Sequence, residues 1–149
     1  RTVGVICEYN PFHHGHLTQF RQIRTLFGED AAIICLMSGN FVQRGECAVF
    51  DKLVRASAAV DCGASLVLEL PVTGALRSAE GFARCGVEIL DDGNVCRCIS
   101  GSHPGALPFL LRQDHPEGKV DGVFRYLRYF RKRSVFYGNN ADGNHYAAV

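Results

Sequence analysis

Cys7-Glu8-Tyr9-Asn10-Pro11-Phe12-His13-His14-Gly15-His16-Leu17 is the stretch that decides how this chain folds. Ahead of it, residues 2–8 are mostly apolar and β-branched, the pattern of a buried strand, and behind it runs a helical pattern. Asn10-Pro11 forces a turn between the two, because proline pushes the residue before it out of the helical region. A histidine-glycine-histidine group is thereby set where a helix begins, just past the carboxyl end of a strand. Main-chain N–H groups and the positive end of the helix dipole face outward at such a corner, which suits phosphate.

Working outward, the helix after this corner places Leu17, Phe20, Ile23 or Arg24, and Phe27 on one stripe and ends at Gly28. Residues 31–37 read as a second apolar strand. After a loop over 38–49 comes a helix over about 51–61, stopped by Gly63, and then a third strand over 65–70, closed by Pro71. A helical pattern covers about 75–90, and 95–99 reads as a fourth strand. Strands apolar along their whole length and separated by helices predict a parallel sheet covered on both faces. The expected fold is therefore α/β, a Rossmann-like three-layer α/β/α sandwich, with ligands bound at the carboxyl ends of the strands. Two further polar loops fall on that edge, residues 38–46 and Ser100-Gly101-Ser102.

At 149 residues, 47% hydrophobic and 21% charged, the chain has the composition of a globular domain with its own core. No apolar run approaches the length of a membrane span and no secretion signal opens the chain, so a soluble, cytoplasmic protein is expected. Seven cysteines, with Cys7, Cys35, Cys62 and Cys85 inside apolar patterns, predict buried thiols in a reducing compartment. Because it starts at Arg1 and stops without any tapering of pattern, the chain is expected to be a piece of a longer protein. The net charge of +1 conceals an asymmetry: nine basic against eleven acidic residues up to Ser100, then seven against four, six of the seven within 119–133.

The motifs E-Y-N-P-F-H-x-G-H, M-S-G-N-F-x-Q-R-G-E, D-K-x-x-R, L-V-L-E-L-P and S-A-E-G-F-A occur in this order over residues 3–101. Together they resemble the amino-terminal catalytic domain of the bacterial tRNA(Met) cytidine acetate ligase family, within the wider HxGH nucleotidyltransferase superfamily. The resemblance implies adenylation of acetate by ATP with Mg2+, then acetyl transfer to the wobble cytidine of elongator tRNA(Met). It makes His13 and His16 the catalytic pair and assigns ATP contacts to Glu8, Tyr9, Asn10, Pro11, Phe12, His13, Gly15, His16, Ser38, Gly39, Asn40 and Gly101. Two alternatives stand beside it: another HxGH adenylyl- or cytidylyltransferase of cofactor synthesis, and an inactive nucleotide- or RNA-binding remnant. Residues 1–101 are expected to form the nucleotidyltransferase domain and 102–149 a divergent or truncated extension. His103 stands where the family's F-G-S-E pattern has glutamate, and its downstream phosphate clamp has no counterpart here.

The chemistry of the first step follows from residue types. A carboxylate attacking the α-phosphate needs no protein nucleophile; it needs two anions held in line and donors that absorb charge as pyrophosphate leaves. His13 and His16, three apart at a helix start, are placed to face one phosphate, and Gly15 lets the backbone come close. His14 fills the variable slot of the motif and is expected to face solvent. Arg44, Lys52 and Arg55 are read either as phosphate or RNA contacts or as solvated cations. Glu69 and Glu80 are read as structural before catalytic, and Asp91-Asp92-Gly93 as a turn. No protein-built metal site is expected, since Cys96 and Cys98 lack a second ligand pair. Residues 119–133 fit a helix carrying Arg125, Arg128 and Lys132 on one face with Tyr126 and Tyr129 interleaved, a pattern suited to RNA as well as to solvent. Residues 137–145 read as loop.

Overall fold

The computed structural model describes residues 1–92 and, beyond them, strands at 97–100, 111–112, 136–139 and 145–148. The elements run β1 (Thr2–Cys7), α1 (His14–Phe27), β2 (Ala32–Ser38), a 3₁₀ turn (Gln43–Gly45), α2 (Lys52–Asp61), β3 (Leu66–Leu70), α3 (Val72–Ala75) and α4 (Ala79–Asp92). Four strands follow: β4 (Arg97–Ser100), β5 (Leu111–Arg112), β6 (Phe136–Asn139) and β7 (His145–Ala148). One sheet takes them in the order β5-β4-β1-β2-β3-β6-β7. The four central strands β4, β1, β2 and β3 are parallel, with Val5 opposite both Cys35 and Ile99 and Cys35 opposite Val67. β5, β6 and β7 join antiparallel at the two sides.

Alternation along the strands sends side chains to two cores. On one face Val3, Val5, Ile33, Cys35, Met37 and Val67 pack against Phe20, Ile23 and Phe27 of α1 and Ala56, Ala59 and Val60 of α2. On the other, Ile6, Ile34, Leu36, Leu68 and Leu70 meet Ala75 of α3 and Phe82 and Leu90 of α4. Each side chain buried as completely as Phe20 or Ile23 contributes about 1.5–3 kcal/mol. These layers are the α/β/α sandwich that the apolar strands predict, and its parallel register brings the carboxyl ends of β1, β2, β3 and β4 to one edge.

Four local differences separate expectation from structure. The buried stripe of α1 is His16, Phe20, Ile23 and Phe27, with His16 rather than Leu17 at its head, because the helical period counted back from Phe20 lands on i−4. The single helix expected over 75–90 is two, α3 and α4. Ser78 divides them: its Oγ accepts from Gly81 N and its carbonyl from Phe82 N, starting a new helix. Asp91 and Asp92, read as a turn, are the last residues of α4. Residues 137–145, read as loop, hold parts of β6 and β7, where β6 pairs with β3 and closes an edge that would otherwise stay open. The helix expected over 119–133 lies outside the described residues. No helix among the described residues is long and apolar enough to cross a membrane.

Candidate active site

At the β1–α1 junction the backbone turns through Tyr9, held at φ 47°, and a cis Asn10-Pro11 bond. His13 then caps α1: its Nδ1 accepts from Gly15 N at 3.1 Å, while His16 Nδ1 accepts from His13 N at 3.2 Å. This is a capping box made of imidazoles, where serine and glutamate usually serve. It corrects one expectation. The N–H groups of Gly15, His16 and Leu17 do not face outward, since Gly15 donates to the His13 ring and the other two to the His13 carbonyl.

The same bonds set the tautomer that each ring adopts when neutral. An Nδ1 that accepts from a main-chain N–H leaves the proton of a neutral imidazole on Nε2. The rings stack with centroids 3.8 Å apart and planes 24° from parallel. Burial, with the neighbouring His13 second, pulls the His16 pKa from 6.5 to about 4. His16 is therefore a neutral donor near neutral pH. Tyr9 and Phe12 hold its ring from behind, with centroids at 4.7 and 5.3 Å.

Both histidines line a cleft of about 390 Å³ at the carboxyl edge of the sheet, together with Ile6, Cys7, Glu8, Tyr9, Asn10, Pro11, Gln19, Gln43, Ala79 and Phe82. The structure thus brings together Glu8, Tyr9, Asn10, Pro11, His13 and His16 of the expected nucleotide-binding set. Several of them act on the protein rather than outward. Tyr9 lines the cleft but its phenol is buried, with the hydroxyl 3.2 Å from Cys35 Sγ, so its ring also props His16 from the core side. Burial pushes the Tyr9 phenol and the Cys7 thiol well above their usual pKa values. Glu8 Oε1 accepts from Gln43 N at 2.6 Å, and Asn10 Oδ1 from Val49 N at 2.7 Å.

Ser38 and Gly39 are buried and, like Asn40, stand apart from the cleft wall. Asn40 Oδ1 accepts from Lys52 N at the start of α2. Gly39 has no room for a side chain: a Cβ there would lie 2.2 Å from Glu69 Oε1. Glu69 Oε2 pairs with Lys52 Nζ at 2.8 Å, so each of these half-buried charges has a partner within the protein. Arg55 is 1% exposed and donates to the carbonyls of Glu8, Ser38, Gly39 and Phe50. That burial corrects its reading as a phosphate or RNA contact, because no substrate reaches it without unfolding the edge. Arg44 is exposed at φ 75° within the 3₁₀ turn, and Glu80 is exposed in the first turn of α4. Gly101, Arg125, Arg128 and Lys132 lie outside the described residues.

Gln19, Gln43, Ala79 and Phe82 complete the cleft and were not singled out from the sequence. Gln19 lies one helical turn beyond His16, and the others fall inside two of the matched motifs. Among the described residues no three His, Cys, Asp or Glu side chains gather closely enough to hold a metal ion, and Cys7, Cys35, Cys47, Cys62 and Cys85 are free thiols.

A parallel sheet with a histidine pair at the start of its first helix, opening on a cleft at the carboxyl edge, defines a nucleotidyltransferase-type α/β fold. The family described as HIGH Nucleotidyl Transferase matches residues 1–115, and the chain belongs to it. Among its relatives, the tRNA(Met) cytidine acetate ligase of Acetivibrio thermocellus is 48% identical over 105 residues, covering 69% of this chain and 25% of the relative. The tRNA(Met) cytidine acetate ligase of Oenococcus oeni is 47% identical over 149 residues, covering 93% of this chain and 39% of the relative. A crystal structure of Thermotoga maritima TmcAL bound with alpha-thio ATP superimposes with a TM-score of 0.60 at 49% identity, over 64% of this chain and 23% of that one. The chain spans between 25% and 39% of the length of these two curated relatives.

Proposed function

We propose that this chain carries the ATP-binding and adenylating site of a tRNA(Met) cytidine acetate ligase. The observation that carries the reading is the stacked His13–His16 pair, two Nε2–H donors in a cleft at the edge where this fold binds nucleotides. In the reaction a carboxylate oxygen of acetate attacks the α-phosphorus, the bond to the bridging oxygen breaks, and pyrophosphate leaves with the electron pair. His13 and His16 donate to the phosphate oxygens on which charge accumulates, and each such bond to a charged group contributes about 1.5–3 kcal/mol. Among the described residues Glu8 is the one carboxylate on the cleft wall, and one of its oxygens is engaged by Gln43 N. Those residues fit a Mg2+ that arrives with ATP and is held mainly by phosphates and water. The exocyclic amine of the wobble cytidine of elongator tRNA(Met) then attacks the acetyl carbonyl, the acyl-phosphate bond breaks, AMP leaves and the amine gives up a proton. Arg44, Arg125, Arg128 and Lys132 serve as contacts to the tRNA phosphates.

The test is ATP–pyrophosphate exchange by the full chain, driven in separate reactions by acetate, phosphopantetheine and nicotinamide mononucleotide. Exchange with acetate alone is expected. Exchange with either of the others moves the protein to cofactor synthesis, and ATP binding without exchange makes this stretch a nucleotide-binding remnant.

A further inference from the structure

Arg55 shapes the cleft without reaching its surface. Its Nε donates to Phe50 O at 3.0 Å, one terminal nitrogen donates to Glu8 O at 2.5 Å and Ser38 O at 3.2 Å, and the other donates to Gly39 O. These four carbonyls belong to three stretches: the exit of β1, the exit of β2 and the turn that starts α2. Buried carbonyls need donors, and strand exits have run out of ladder partners. Arginine is the side chain suited to the task, with five N–H donors in a rigid fork and a charge that persists when buried; lysine offers three donors from a single atom.

A second set of bonds carries this clasp to the cleft. Glu8 and Asn10, on the histidine side, accept from the backbone N–H groups of Gln43 and Val49 in the facing loop. Glu8, Asn10 and Gln43 all line the cleft. The separation of its two walls therefore depends on what joins their backbones underneath. Building on the adenylation reading above, we infer that Arg55 is a positioning residue for the reaction. Through the carbonyls of Glu8, Ser38 and Gly39 it holds the histidine junction and residues 39–50 at the spacing that lines up nucleotide and carboxylate.

The experiment compares the full chain with its Arg55→Lys and Arg55→Ala variants. Three quantities are read: thermal unfolding, amide hydrogen exchange at Gln43 and Val49 without nucleotide, and kcat and KM for acetate-driven exchange per folded molecule. Arg55→Lys is expected to fold, to exchange at Gln43 and Val49 at least about tenfold faster, and to lose roughly 10²-fold in kcat, the effect of misplacing reacting groups by about 1 Å. Millimolar guanidinium is expected to restore part of the kcat of Arg55→Ala. An arginine that serves the fold alone lowers the folded fraction and leaves kcat per folded molecule unchanged, and that result overturns the inference. Failure of Arg55→Lys to fold also overturns it. Should the unaltered chain show no exchange, the adenylation reading falls while the clasp is still judged: unchanged protection of Gln43 and Val49 in folded Arg55→Lys removes it, and lost protection upholds it.

Discussion

The two walls of the cleft are built on different scales. On the histidine side the bonds that orient the rings span two and three residues, Gly15 to His13 and His13 to His16. On the facing side the loop has short bonds of its own, but those that tie it to the histidine wall span the fold: Gln43 reaches back 35 residues to Glu8, Val49 reaches 39 to Asn10, and Arg55 reaches 47 to the Glu8 carbonyl. The first wall forms with the first turn of α1. The second exists only once β1, β2 and α2 have docked, because loop closure over such distances gains nothing until the sheet is in place. A helix start thus brings its donors already oriented, and the rest of the site is fitted to it by side chains reaching for backbone.

The largest effects come from breaking the local wall. His16→Ala is expected to lower acetate-driven exchange by about 10²–10³, the usual cost of losing an oriented donor to developing charge. It is also expected to lower stability by about 1–2 kcal/mol, because His16 is buried and bonds the His13 N–H. His13→Asn separates the two roles. Asparagine is among the best N-cap residues, so unfolding free energy is expected to stay within about 0.5 kcal/mol while turnover falls as far as in His16→Ala. Turnover that survives in His13→Asn would reduce that ring to a cap.

Acid probes the same wall more gently. The folded-state pKa of His16, about 4, lies below the 6.5 of an ordinary histidine, so the unfolded chain takes up this proton first as pH falls. Its contribution is complete above pH 6.5, declines as pH drops towards 4 and is lost below that. The depression corresponds to at most roughly 3 kcal/mol. Urea unfolding of the unaltered chain and of His16→Ala at pH 7, 5 and 4 isolates it. The stability difference between the two is expected to shrink in acid; a difference constant across that range would contradict a desolvated, neutral ring.

The same contrast of scale explains what the sequence discloses. The layers, the parallel character of the central sheet and the histidine corner follow from periodicity and from Asn10-Pro11, signals contained within about a dozen residues. Arg55 is the opposite case. Its position one turn into α2 resembles that of any solvated cation, and nothing local announces that Glu8, Ser38 and Gly39 leave carbonyls beneath it. Lys52 and Glu69 are likewise brought together only when the start of α2 meets the end of β3. Tyr9 was legible as part of the motif but not as a prop, because its burial depends on Cys35 lying across from it.

Gly39→Ala tests the long-range wall at its tightest point. The new methyl group would displace the Glu69 carboxylate that Lys52 holds, and overpacking of this kind costs about 1–3 kcal/mol. Thermal unfolding is expected to show that loss, with a proportionate gain in amide exchange over residues 40–50 and none at Gly15. Equal loosening of both walls would mean that the histidine junction is not self-supporting.

Ser38→Ala should have the smallest effect and the opposite sign. Ser38 is wholly buried, and its Oγ has no hydrogen-bond partner among the described residues. A hydroxyl left unpaired in the interior costs about 1–3 kcal/mol, so its removal is expected to raise stability, by about 1 kcal/mol once the small void left by the oxygen is allowed for. Its backbone carbonyl, which Arg55 holds, is untouched by the change. The side chain stands apart from the cleft wall, so nucleotide affinity measured by calorimetry should not move. An affinity loss of tenfold or more would give the opposite answer: the hydroxyl acquires its partner when substrate arrives, and the second wall would then be completed by the ligand as well as by Arg55.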